Sequence, residues 1–220
     1  MSEQKMNRRS FLQASTVLGV GSVVGASALL SACGEGNKMT PLKQPGEFYV
    51  PELPDKAIDG KELKVGVIGC GGRGSGAVGD LLNAANGIKV HALGDVFADR
   101  VEGLRKNLKE KHNQDVPEEN CFVGFDAYKQ VIDSGVDMVI MATPPVFRPV
   151  HFQYATQKGK HSFLEKPIAV DAKGYRTIMA SAKQAQAKNL SVITGTQRHH
   201  QRPYVEANKL IQAGYIGEIT

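Results

Sequence analysis

A six-residue apolar run, Leu63 to Ile68, opens directly onto glycines, and a helical pattern resumes at once: "LKVGVIGCGGRGSGAVGDLL". No other feature of the sequence restricts the fold as tightly. Gly69, Gly71 and Gly74 fit the spacing G-x-G-x-x-G. The first glycine permits a tight turn, and the second lets the backbone approach a pyrophosphate. The third lets helix and strand pack closely, with the helix N-terminus facing the phosphates. Glycine-rich turns are common, so the context decides. The next apolar run, "IKVHALGD", ends in Asp95, about twenty residues past the third glycine. A carboxylate there accepts both ribose hydroxyls of an adenosine and repels a 2′-phosphate, which favours NAD over NADP. Arg100 nearby pulls slightly the other way, because an arginine can serve a phosphate. The bland reading of Asp95 is a helix N-cap.

The alternation continues down the chain. Ala98 to His112 reads as a helix, Cys121 to Gly124 as a strand, and Asp126 to Asp133 as a short helix. "VDMVIMATPP" is a β-rich buried run ending at Thr143, Pro144 and Pro145. Pro149 to Lys158 reads as a helix, His161 to Leu164 as a strand and Asp171 to Lys188 as a long helix, before "LSVITG" closes the set. Strands alternating with helices predict an α/β fold with a doubly wound parallel sheet, a Rossmann domain. Ligands bind such sheets beyond the carboxyl ends of the strands. Each strand end here carries something polar or special: the glycine loop, Asp95, Thr143-Pro144, Glu165-Lys166-Pro167 and Gln197-Arg198.

The first sixty residues have another character. "NRRSFLQ" (Asn7 to Gln13) precedes a weakly apolar stretch rich in Gly, Ser and Ala, and resembles a twin-arginine export signal. "LSAC" (Leu30 to Cys33) resembles a bacterial lipobox, which makes Cys33 the expected lipidation site and membrane anchor. The alternative is an uncleaved N-terminal anchor. Residues 1–33 are thus expected to be signal, and residues 34–60, with four prolines, a tether. Export predicts a periplasmic or outer-surface protein whose cofactor is held tightly and regenerated in place.

Composition excludes other classes. The chain has 220 residues with 41% hydrophobic content, which suits one globular domain plus extensions. Its net charge of +5 is scattered among acidic residues, without a basic stripe and interleaved aromatics, so no nucleic-acid partner is expected. Three cysteines match no metal-ligand spacing, and no metal is expected.

From about Lys61 onward, "VGVIGCGGRGSGAV", "HALGDVF", "MATPPVFRPVHF", "GKHSFLEKPIAV" and "GTQRHHQRPY…IQAGYIGEI" together resemble the glucose–fructose oxidoreductase and inositol dehydrogenase family (Gfo/Idh/MocA). The Glu-Lys-Pro motif is the most specific of these. The resemblance implies that Lys166 lies beside the nicotinamide ring and polarises the substrate oxygen at the carbon that exchanges hydride. It implies that Glu165 touches the cofactor or orients Lys166, and that Thr143 and Pro144 pass the cofactor with His151 near a ribose. Gln197 and Arg198 become further cofactor or substrate contacts. Of His199 and His200 at most one is functional, with His199 the candidate acid–base group. Arg73, inside the glycine loop, joins Gly69, Gly71, Gly74 and Asp95 as a cofactor contact.

Family members carry a second, antiparallel α+β domain that supplies most substrate contacts and usually builds the oligomer interface. Here residues 61–195 correspond to the NAD-binding domain, and residues 196–220 to a linker helix and only the start of the second domain. A homo-oligomer is expected only where that domain is present. The expected function is the NAD-binding part of an exported oxidoreductase acting on a sugar or polyol. Two alternatives stand beside it: a glycosidase that oxidises its sugar transiently and eliminates the glycosidic substituent, and a truncated, non-catalytic NAD-binding module.

Overall fold

The structure, a computed structural model, describes residues 60–217. The expected signal with Cys33, nearly all of the tether, and any second-domain start past residue 217 lie outside the described residues. The chain divides into two units: Val50–Glu206, and Met1–Tyr49 together with Ala207–Thr220. Of the latter only residues 207–217 are described, the end of a helix followed by a turn.

The chain runs β1 (Leu63–Ile68), α1 (Gly72–Ala84), β2 (Ile88–Asp95), α2 (Ala98–His112), β3 (Cys121–Val123), α3 (Ala127–Asp133) and β4 (Met138–Met141). It continues through α4 (Arg148–Gln157), β5 (His161–Leu164), α5 (Ala172–Ala187), β6 (Val192–Thr194) and α6 (Arg202–Gln212). All six strands are parallel, in the order β3-β2-β1-β4-β5-β6. The order reverses between β1 and β4, which opens a crevice at their carboxyl ends. This is the doubly wound Rossmann sheet that the alternation predicts.

Because successive strand residues point to opposite faces, the inner strands feed two cores. Val65, Val67, Val90, Leu93 and Ile140 join Val78 and Leu104 on the face under α1 and α2. Ile68, Ala92, Val139, Met141 and Leu164 join Val131, Phe152 and Ile178 on the face under α3, α4 and α5. Full burial of each such side chain contributes roughly 1.5–3 kcal/mol. Two strand glycines set how closely α3 approaches. A Cβ on Gly66 would lie 2.5 Å from Val131 Cγ1, and one on Gly94 would lie 2.7 Å from Val131 Cγ2.

Helix ends follow local chemistry. Asp171 caps α5, its side chain accepting from the Gly174 N–H at 2.6 Å. Asn113 ends α2 in the left-handed conformation at φ 52°. The expected helix Asp171 to Lys188 therefore includes its two caps. α1, like α2, α3 and α4, has no side-chain cap, and Gly71 occupies its N-cap position. Its first-turn N–H groups are left for something else.

Candidate functional site

The crevice contains a cavity of about 450 Å³, lined among others by Gly69, Gly71, Asp95, Thr143, Pro144 and His151. Six of the residues expected from the sequence thus converge, five from the ends of β1, β2 and β4 and His151 from α4. Gly69 sits at φ +93°, and a Cβ there would lie 2.7 Å from the Thr143 nitrogen. No side chain fits, so the loop lies flat against β4. Gly74 does not face the cavity; a Cβ on it would come within 1.9 Å of the Gly69 oxygen. Its place is the close contact of helix on strand. Gly71 is open, with only Arg100 Nη1 near, at 3.9 Å from a built Cβ.

Asp95 does not cap a helix, since Phe97 holds the N-cap position of α2. Instead its Oδ2 accepts from the Cys70 N–H at 2.7 Å and its Oδ1 from the Phe97 N–H at 3.1 Å. Each oxygen keeps acceptor capacity for a hydroxyl. The carboxylate is fixed before any ligand arrives. Burial beside that charge pushes the Cys70 thiol up to about 12.

His151 is buried at the cavity wall, stacked on Tyr128 with centroids 4.2 Å apart. Its Nδ1 shares a hydrogen bond with Thr143 Oγ1 at 3.3 Å. Burial pulls its pKa down to about 4, so the ring is neutral at physiological pH. It can orient Thr143 or meet a ribose, but it brings no charge.

The Glu165-Lys166-Pro167 turn follows β5. Glu165 is 2% exposed and its Oε1 accepts from Arg73 Nη2 at 2.5 Å. Lys166 is exposed and makes no hydrogen bond or ion pair with any described residue. The Lys166–Pro167 peptide is cis. Arg148 Nη1 donates to the Pro167 carbonyl.

Other expected residues lie apart from the crevice cavity. Arg73 and Gln197 line a second cavity of about 380 Å³ with Thr196 and His200, and the two cavities share no residue. Arg198 lies over the Tyr204 ring at 5.2 Å. His199 is exposed in the 3-10 turn Gln197–His199, and it is His200 that reaches the second cavity.

Sequence reasoning missed several residues. Phe97, Phe125 and Phe147 follow β2, β3 and β4 and rim the crevice cavity. An aromatic just past a strand end, in "DVF", "VGF" and "PVF", was the available signal. Arg148 and Gly195 were also missed. Nothing local marks an arginine that folding will bury.

A family model described as an oxidoreductase family with an NAD-binding Rossmann fold matches residues 63–194. The chain belongs to the Gfo/Idh/MocA family. Among Gfo/Idh/MocA relatives, inositol 2-dehydrogenase 4 of Saccharopolyspora erythraea is 28% identical over 73% of this chain and 44% of its own length. A glycosyl hydrolase family 109 protein of Shewanella pealeana is 26% identical over 98% of this chain and 44% of its own. The scyllo-inositol dehydrogenase of Lactobacillus casei, solved with NAD(H) and scyllo-inositol, superposes with a TM-score of 0.59 at 25% identity, covering 73% of this chain and 44% of that one. The chain spans less than half the length of these relatives. Its Rossmann domain is the NAD-binding domain of this oxidoreductase family.

Proposed function

We propose that the chain is the NAD-holding part of an exported oxidoreductase that moves hydride between a tightly held NAD and a carbinol carbon of a sugar or polyol. The observation that carries this reading is Asp95. Its carboxylate is locked by two backbone N–H groups at the mouth of the glycine loop, where it would accept ribose hydroxyls and repel a 2′-phosphate. Gly69, with no room for a Cβ, and the uncapped first turn of α1 fit the pyrophosphate. NAD, where bound, would supply the hydride acceptor. Lys166, exposed and without a partner among the described residues, would hold the substrate oxygen and manage its proton. The twin-arginine pattern and the lipobox support export and an anchor at Cys33.

The glycosidase reading has its own support. The family 109 relative aligns over 217 residues of this chain, whereas the inositol dehydrogenase aligns over 160. In that chemistry the hydride would pass from the sugar to NAD⁺, where bound. The ketone would acidify a neighbouring C–H, whose proton would pass to a base as the glycosidic substituent left. Water addition and return of the hydride would complete the cycle. Incubation of the full protein with NAD⁺ and panels of polyols and glycosides separates the two. Net NADH formation with a polyol supports the dehydrogenase; glycoside cleavage without net redox supports the glycosidase. Neither product, with NAD⁺ bound, leaves a binding module.

A further inference from the structure

Glu165 has lost nearly all contact with water at 2% exposure. A carboxylate so placed persists where cations and donors replace its hydration. Two arginines from different elements place positive charge near it, and one of them also donates to it. Arg73, near the start of α1, reaches from the glycine loop and donates from Nη2 to Glu165 Oε1. Arg148, the first residue of α4, is only 5% exposed. Burial lowers the affinity of its guanidinium for its proton, and the Glu165 charge opposes that effect. Its Nη1 is spent on the Pro167 carbonyl. Gly195, just past β6, closes the remaining side: a Cβ there would lie 2.7 Å from Glu165 Oε1.

Surface arginines need none of this. Arg148 is drawn inside, and its Nε has no partner among the described residues, so it is not there to satisfy itself. What the two arginines share is the turn that carries Lys166. One grips its first side chain and the other its last carbonyl, while the lysine between them touches nothing described.

We infer that Arg73 and Arg148 are positioning residues, a clamp that holds Glu165-Lys166-Pro167 by both ends and presents Lys166 at a fixed point beside the glycine loop. This rests on the reading above, in which Lys166 faces the reacting carbon. Because Arg73 belongs to the loop that would receive the phosphates, a ligand settling there is reported to Lys166 through one ion pair.

The test uses the full chain, reductively methylated with isotope-labelled formaldehyde, and follows the dimethyl-Lys166 resonance, assigned by its loss in Lys166→Arg. The variants are Arg148→Met, Arg148→Lys, and Arg73→Met in a Glu165→Gln background, because removing Arg73 alone would strand a buried carboxylate. Thermal melts show which variants fold, and calorimetry with NAD⁺ gives affinity separately. The clamp predicts one sharp Lys166 signal in the native protein that shifts when NAD⁺ is added. In Arg148→Met it predicts a displaced or broadened signal in the free protein and loss of most of the NAD⁺-induced shift, with NAD⁺ still bound. Arg148→Lys, which keeps a donor, should restore part of both. A folded Arg148→Met or Arg73→Met/Glu165→Gln protein whose Lys166 signal matches the native one overturns the clamp. Absence of NAD⁺ binding by the native protein overturns the proposed NAD-holding function instead, and the clamp is then judged on the free-protein signal.

Discussion

His151 shows how a single side chain can report on the site. Its ring is buried against Tyr128, and its pKa is pulled down to about 4 by that burial. The unfolded chain takes up the proton near pH 6.5, and the folded one does not until about pH 4. Between those values the unfolded state binds more protons, so stability falls as pH drops from 6.5 towards 4 and is fully present above 6.5. By pH 5 the loss amounts to roughly 2 kcal/mol. Melts of the native protein and His151→Gln at pH 7 and pH 5 check this: the substitution should remove most of the difference. Cys70 offers a second readout. With its thiol pushed up to about 12 by burial and the Asp95 charge, it should resist alkylation at pH 8 in the folded protein and react on unfolding. Rapid native alkylation of Cys70, mapped by mass spectrometry, would contradict the packing of the glycine loop described here.

The helices and strands carry different kinds of glycine, and only some are needed. A Cβ at Gly74 would sit 1.9 Å from the Gly69 oxygen, whereas at Gly76 and Gly103 it would meet nothing within 4 Å. Gly74→Ala should therefore pry α1 off the end of β1, lowering the melting temperature and weakening NAD⁺ binding at least about tenfold, or ~1.4 kcal/mol. Gly76→Ala and Gly103→Ala sit in α1 and α2 with space to spare, and should each stabilise by roughly 0.5–1 kcal/mol. A chemical-denaturation series on the three variants reads both signs. The same elements show what the sequence made legible. The continuous apolar runs and the long helices appeared where expected, because inner strands of a parallel sheet fill a core on each face and each helix fills one stripe. β5, His161–Leu164, and α2, Ala98–His112, matched residue for residue. Helix ends drifted by a residue where a cap was counted as helix, at Asp171 and Lys188.

For the domain taken together, the site was legible to the extent that chemistry followed a strand end. Gly69, Gly71, Asp95, Thr143, Pro144 and His151 all line the crevice, since a doubly wound sheet gathers its carboxyl ends on one edge. Arg73 and Gln197 line the second cavity instead, and Arg198 lies over Tyr204, because side-chain direction on a turn is set by packing rather than by position along the chain. Arg148 went unseen for the same reason, whereas the rim phenylalanines were passed over although each lies just past a strand end. The account as a whole requires that the crevice bind a dinucleotide through Asp95. Titration of the protein and of Asp95→Ala with NAD⁺ and NADP⁺ tests this most directly. One saturable NAD⁺ site, at least about tenfold tighter than NADP⁺ and losing that margin in Asp95→Ala, is the expected result. No NAD⁺ binding, or a preference untouched by Asp95→Ala, would contradict it.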